Sequence, residues 1–123
     1  MARTVLIIDD NKFNREIVKM TLEGGGYAVR CAGDGNEGLE ILQKEPVDLV
    51  LLDLILPGLD GFGVLSMIKS DPKTRDIPVF VLTSRDSQEE HDESIRLGAQ
   101  DCFIKYRMPH VELLKVVRQF LGR

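Results

Sequence analysis

Three carboxylates, one ammonium and one hydroxyl each stand at the end of an apolar run. Val5-Leu6-Ile7-Ile8 ends in Asp9-Asp10, and Val47-Asp48-Leu49-Val50-Leu51-Leu52 ends in Asp53. Val79-Phe80-Val81-Leu82 ends in Thr83-Ser84, and Cys102-Phe103-Ile104 ends in Lys105. Ligand sites in an open parallel sheet form in the crevice outside the C-terminal strand ends. Carboxylates gathered there repel one another, which raises at least one pKa, and a hard divalent cation removes the conflict. Magnesium takes oxygen ligands, commonly one or two carboxylates together with phosphate oxygens. Lys105 adds a point charge for a phosphoryl or carboxylate oxygen, and Thr83 adds a hydroxyl. Such a set fits phosphoryl transfer, which relies on positioning and charge neutralisation. A carboxylate nucleophile forming an aspartyl-phosphate is an established strategy. Asp53 stands alone and is the natural nucleophile, whereas Asp9 and Asp10 form the paired metal side.

Taken singly, each residue has a plainer explanation. Acids favour the positive end of a helix dipole. Asp53 alone reads as a turn residue, Thr83-Ser84 as a helix cap and Lys105 as a solvated lysine. The weight lies in four strands ending in complementary groups on one edge.

The elements that must position them alternate along the chain. Strands are expected at about 4–8, 27–31, 48–53, 78–82 and 101–104, with helices at about 12–23, 35–44, 60–69, 86–97 and 109–121. On helix 1, Phe13, Ile17, Met20 and Leu22 or nearby positions are expected to face inward. Gly24-Gly25-Gly26 stops that helix by supplying a left-handed cap. Asp34 caps helix 2, with Glu37 where a capping-box acid belongs. Asp60-Gly61 opens helix 3, Asp71-Pro72 breaks it, and Pro109 begins helix 5. Five strand-then-helix units imply a parallel sheet covered on both faces, and strands 1, 3 and 4 are near-continuous aliphatic runs, as such strands should be.

The 123 residues suit one domain with its own core. Apolar residues make up 43% and charged residues 29%, ordinary values for a globular chain. No apolar stretch approaches the ~20 residues of a membrane span, and the N-terminus carries no signal-peptide pattern, so the expected location is cytoplasmic, without membrane attachment. The net charge of −4 argues against direct nucleic-acid binding, which needs clustered Lys and Arg. Cys31 and Cys102 read as small buried apolar residues rather than a disulfide or metal pair.

On Asp9-Asp10, the run Asp53-Leu54-Ile55-Leu56-Pro57-Gly58-Leu59-Asp60-Gly61, Leu82-Thr83-Ser84, Gly98-Ala99-Gln100-Asp101 and Lys105, the whole chain resembles the receiver domain of bacterial two-component response regulators. The resemblance implies a flavodoxin-like, doubly wound five-stranded sheet in the order 2-1-3-4-5, with residues 1–123 forming one phosphoacceptor domain. It implies that Asp53 takes a phosphoryl group from a histidine kinase or phosphotransfer protein in a Mg2+-dependent reaction. Asp10 would bind the metal directly, Asp9 through water, and Ile55 through its backbone carbonyl. Lys105 would hold a phosphoryl oxygen. Thr83 would carry the signal to the face of helix 4, strand 5 and helix 5, where a downstream target, an output domain or a second copy would bind.

The chain departs from the family pattern at three places. Tyr106 replaces the family's cis proline after the lysine, and a non-proline cis bond costs ~2.5–4 kcal/mol, so a trans bond and a reshaped loop are expected. Cys102 occupies the position of the family's switch aromatic. Phe103 is adjacent but should point to the other sheet face, which leaves Tyr106 as the candidate substitute. Ile55 and Arg85 flank the phosphoryl position. Ile55 cannot orient a water by hydrogen bonding, which predicts slow self-dephosphorylation, and Arg85 is placed to meet the phosphoryl group or an acid across the cleft.

Other functions fit less well. A haloacid-dehalogenase-type phosphatase needs a second Asp two residues after the nucleophile, and that position is Ile55. A flavin module needs a hydroxyl- and Gly-rich loop after strand 1, where this chain has Asp9-Asp10-Asn11-Lys12. A degenerate, phosphorylation-independent interaction module is the main alternative. On the favoured reading the chain is a signalling domain rather than an enzyme, with only self-phosphorylation and self-dephosphorylation chemistry.

Overall fold

A computed structural model describes residues 2–122, the side chain of Tyr106 excepted. The elements follow in strict alternation: β1 (Thr4–Ile8), α1 (Lys12–Gly24), β2 (Ala28–Ala32), α2 (Gly35–Lys44), β3 (Leu49–Asp53), α3 (Gly61–Ser70), β4 (Val79–Thr83), α4 (Gln88–Arg96), β5 (Asp101–Ile104) and α5 (His110–Leu121). A single 3₁₀ turn, Lys105–Arg107, follows β5. All strand pairs are parallel and the order is β2-β1-β3-β4-β5, the flavodoxin-like doubly wound arrangement.

Period-2 alternation divides the strands between two cores. Leu6, Ile8, Val50, Leu52, Val79 and Val81 pack with Leu42, Val64, Leu65 and Ile68 of α2 and α3. Val5, Ile7, Leu49, Leu51, Phe80 and Leu82 pack with Val18, Leu22, Leu113 and Val117 of α1 and α5. β3 and β4 are buried at every residue, whereas the edge strands β2 and β5 are only partly so. The sequence reads the same way: the aliphatic runs are the strands covered on both faces.

Helix termini are set by side chains. Asn11, Asp34, Asp60 and Ser87 each accept a hydrogen bond from a backbone N–H of the first turn they cap. Glu37 Oε1 accepts the N–H of Gly33 at 2.7 Å, closing the cap of α2 from the other side. In the glycine triplet, the left-handed residue is Gly26, at φ 98°. Pro109 is the N-cap of α5 and lies just outside the helix.

On α1, Phe13 and Met20 face water, 75% and 70% exposed, contrary to the inward placement expected of them. Val18 and Leu22 are the buried residues of that helix. With 3.6 residues per turn, Met20 lies about 200° and Phe13 about 140° round from Val18. That phase packs Val18 and Leu22 into the core with β1, β3 and α5, and in the first turn Asn14 and Arg15 bond back to Asp9. Both cysteines are half-buried rather than fully buried, and both are free thiols. No described peptide bond is cis, and after Lys105 the chain enters the 3₁₀ turn. The Tyr106 side chain, the candidate substitute aromatic, lies outside the described residues. Among those residues no helix is long and apolar enough to cross a membrane.

Candidate functional site

Asp9 and Asp53 arrive at one point because β1 and β3 are neighbours in register, with Ile8 opposite Leu52. Both carboxylates are buried, while Asp10, one residue further on, is exposed. One ligand oxygen from each of Asp9, Asp10 and Asp53 falls within 4.8 Å of the others. Lys105 follows β5 and reaches across the sheet edge. Its Nζ lies 2.8 Å from Asp9 Oδ2 and 3.1 Å from Asp53 Oδ2.

The two buried acids are satisfied differently. Asp9 accepts the Asn11 N–H at 2.9 Å on Oδ1 and the Asn14 amide at 2.5 Å on Oδ2, besides Lys105. Burial alone pushes its pKa up, but Lys105, Asn11 and Asn14 outweigh it, so Asp9 sits below the ordinary carboxylate value. Asp53 has the Ile55 N–H at 3.1 Å and Lys105. Here burial wins and the pKa is raised, with the Asp9 charge adding to the effect. Burial works against the Lys105 cation, but its two acidic partners raise its pKa above the ordinary lysine value.

The turn after β3 depends on Gly61. A Cβ there would lie 2.4 Å from Leu54 Cα and 2.6 Å from the Asp53 carbonyl oxygen. The Gly61 N–H donates to the Leu54 carbonyl at 3.0 Å, which closes the loop. The α3 N-terminus is thereby pressed against the backbone that carries Asp53 and presents the Ile55 amide to it. The Ile55 side chain is 42% exposed at the rim.

Thr83 lies one residue beyond the strand position opposite Asp53. It ends β4, is buried, and its Oγ1 accepts the Arg85 N–H at 3.1 Å. It lines a cavity of about 370 Å³ whose other walls include Arg85, His91, Cys102, Ile104 and Arg107. The acid that Arg85 meets is a neighbour rather than one across the cleft: its Nη1 lies 2.7 Å from Glu90 Oε2, five residues on in the first turn of α4. Cys102 packs with the α2–α3 core, while Phe103 turns to the opposite face, edge-to-face with Phe80 at 5.5 Å between ring centroids. Burial raises the Cys102 thiol pKa, so it is a weak nucleophile.

Sequence reasoning missed Asn14 and Arg15. Asn14 bonds the Asp9 carboxylate, and Arg15 Nη1 donates to the Asp9 backbone carbonyl at 2.7 Å. The signal was available: an amide and a guanidinium in the first turn of the helix that follows Asp9-Asp10 are within reach of that strand end.

The donor set suits a hard divalent cation, because carboxylate oxygens are its preferred ligands and one oxygen from each of three acids converges within 4.8 Å.

Comparison with known proteins agrees with this geometry. The family model for the response regulator receiver domain matches residues 5–118. The chain is similar to the crystal structure of a putative response regulator from Chloroflexus aurantiacus J-10-fl, at 31% identity, full coverage of both chains (100% each) and a TM-score of 0.91. It is also similar to the CheY-like receiver domain protein of Methanospirillum hungatei JF-1, at 26% identity over 99% of this chain and 95% of that one, with a TM-score of 0.91. The chemotaxis protein CheY4 of Vibrio cholerae shares 28% identity over 97% of this chain and 98% of its own, at a TM-score of 0.89.

Proposed function

The chain belongs to the response regulator receiver family, a family of signalling domains, and on that premise we propose that Asp53 accepts a phosphoryl group from a histidine kinase or phosphotransfer protein. The observation that carries this reading is the Lys105 ammonium held between Asp9 and Asp53 beside a third carboxylate, Asp10. We read residues 1–123 as one phosphoacceptor domain acting in the cytoplasm, with magnesium as its cofactor.

An ionised Asp53 oxygen attacks the phosphorus of a phosphohistidine. The new P–O bond forms as the P–N bond breaks, and the imidazole nitrogen leaves with the bonding pair and takes a proton. Asp9, Asp10, Asp53 and the Ile55 carbonyl would hold the magnesium ion, which supplies charge neutralisation at the phosphoryl oxygens. Lys105 keeps one ammonium bond on Asp9 and offers the other to a phosphoryl oxygen in place of Asp53. Asn14 and the Asn11 amide hold Asp9 still while this exchange occurs. Thr83, one residue past the strand position opposite Asp53, supplies the hydroxyl that turns toward the new group. The consequence is a change in the α4, β5 and α5 face, where a downstream target, an output domain or a second copy binds.

The test is incubation with magnesium and acetyl phosphate, followed by intact mass. A single acid-labile phosphoryl adduct is expected, and Asp53→Asn abolishes it. A wild-type chain that never gains the adduct is instead a phosphorylation-independent interaction module.

A further inference from the structure

Arg85 is tied at both ends. Its backbone N–H is bound to Thr83 Oγ1 at 3.1 Å, and its guanidinium to Glu90 at 2.7 Å. Glu90 belongs to the first turn of α4, and its own N–H donates to the N-cap Ser87 at 3.2 Å. Arg85 precedes that cap, so the ion pair joins a loop to a helix rather than two turns of one helix. A continuous path thus runs from Thr83, through one residue, to the start of α4.

The two partners are unequally solvated. The Arg85 side chain is 60% exposed but that of Glu90 only 20%. Glu90 Oε1 is buried with no hydrogen-bond partner. Its charge reaches the Cys102 thiol on β5. Arg85 is therefore the cation that makes a largely desolvated carboxylate tolerable on the inner side of α4.

We propose that Arg85 is the positioning residue that couples Asp53 to α4: bound to Glu90 in the unphosphorylated chain, it changes partner to the phosphoryl group on Asp53, and Glu90 then turns outward. This rests on Asp53 being the phosphoacceptor. A phosphoryl group carries about −1.5 to −2 charge and three acceptor oxygens, and so outcompetes one carboxylate for a guanidinium. A Thr83 hydroxyl that turns toward the phosphoryl group releases the Arg85 N–H in the same movement. Glu90 is then a partly buried carboxylate without its partner, a costly state relieved by exposure to water. The cavity between Thr83, Arg85, His91 and Cys102 gives the loop room to rearrange without displacing a large side chain. No aromatic is needed at Cys102 for this coupling.

The experiment uses the full chain, 15N-labelled, as wild type, Arg85→Ala, Arg85→Lys and Glu90→Gln. Amide spectra are recorded with magnesium before and after acetyl phosphate, and the adduct is counted by intact mass in every sample. In the wild type the α4 amides, Gln88–Arg96, shift on phosphorylation. In Glu90→Gln, where the adduct still forms, and in Arg85→Ala, compared per adduct counted, those amides start displaced and shift severalfold less. Arg85→Lys restores part of the wild-type shift. Adducts in all four proteins with identical α4 shifts overturn the inference and leave the phosphoacceptor reading standing. No adduct in the wild type overturns that reading, and this inference with it.

Discussion

Lys105 Nζ lies 3.1 Å from Asp53 Oδ2, so the proposed nucleophile is already paired with the cation proposed to hold its phosphoryl group. The same ammonium is 2.8 Å from Asp9, yet the two acids respond in opposite directions. Asp9 has an asparagine amide and a backbone amide besides Lys105; Asp53 has one backbone amide. The site gives Asp9, a proposed metal ligand, more hydrogen-bond donors and leaves Asp53, the proposed nucleophile, with fewer. That deficit favours both cation binding and attack on an electrophilic phosphorus.

Asp53→Asn should raise the melting temperature of the metal-free protein at neutral pH. The Asp53 pKa is raised in the folded state, so its ionisation costs stability. The cost is absent well below the ordinary value of 3.8 and fully present above the raised folded value. The amide keeps an oxygen for the Ile55 N–H. Thermal melts across pH should show the gain at pH 7 and its disappearance in strong acid. A gain that persists in acid would assign the effect to something other than charge.

Lys105→Ala should lower stability by about 3 kcal/mol, because it strands a buried Asp9 beside Asp53. Asp9 contributes stability above its ordinary 3.8, lost as pH falls through its lowered folded pKa. Lys105 contributes below its ordinary 10.5, lost as pH rises through its raised folded pKa. The gap between wild type and variant is therefore widest in the neutral range and closes at both extremes. Urea denaturation at several pH values measures it, and added magnesium should narrow it. A variant as stable as wild type at pH 7 without magnesium would remove the ion pair from the account.

Gly61→Ala should cost about 2 kcal/mol or more, since the new methyl group meets backbone rather than a movable side chain. Gly63→Ala is the control: its methyl group meets the Leu59 Cδ1 tip, which can rotate away. Only Gly61→Ala should also slow adduct formation, because it moves the backbone carrying Asp53 and Ile55. Equal effects of the two substitutions on stability and rate would contradict this.

The parts of the fold visible in the sequence were those with local causes. Aliphatic runs gave β1, β3 and β4, and their terminal residues gave the acid cluster and Lys105, because a parallel sheet delivers all strand ends to one edge. Asp34 and Glu37 gave the start of α2 for the same local reason. What escaped depends on tertiary placement. Hydrophobicity suggested Phe13 and Met20 as core residues, but packing against β1, β3 and α5 turns Val18 and Leu22 inward instead. The burial of Glu90 Oε1 likewise depends on β5, an element further along the chain, and the closeness of Gly61 to Leu54 is a matter of loop geometry that residue types do not display.

The phase of α1 can be checked by alanine substitution. Phe13→Ala and Met20→Ala should stay within about 0.5 kcal/mol of wild type, as exposed sites do. Leu22→Ala should cost about 2–5 kcal/mol through the cavity it leaves. Chemical denaturation of the three variants decides it, and a large loss from Met20→Ala would turn the helix back toward the inward reading.

Ile55 should make the phosphorylated chain long-lived. Its amide is committed to Asp53 Oδ1 and its side chain, exposed at the rim, has no group to orient an attacking water. Hydrolysis needs that water in line with the phosphorus, and a positioned polar side chain there lowers the barrier. Ile55→Asn should therefore shorten the half-life of the adduct by about tenfold, a small part of what positioned polar groups can contribute. Ile55→Val should leave it unchanged, since it alters size but not polarity. Intact-mass time courses after removal of acetyl phosphate measure both, with magnesium held constant. A wild-type half-life of seconds, or identical decay in Ile55→Asn, would show that the attacking water is oriented by another group.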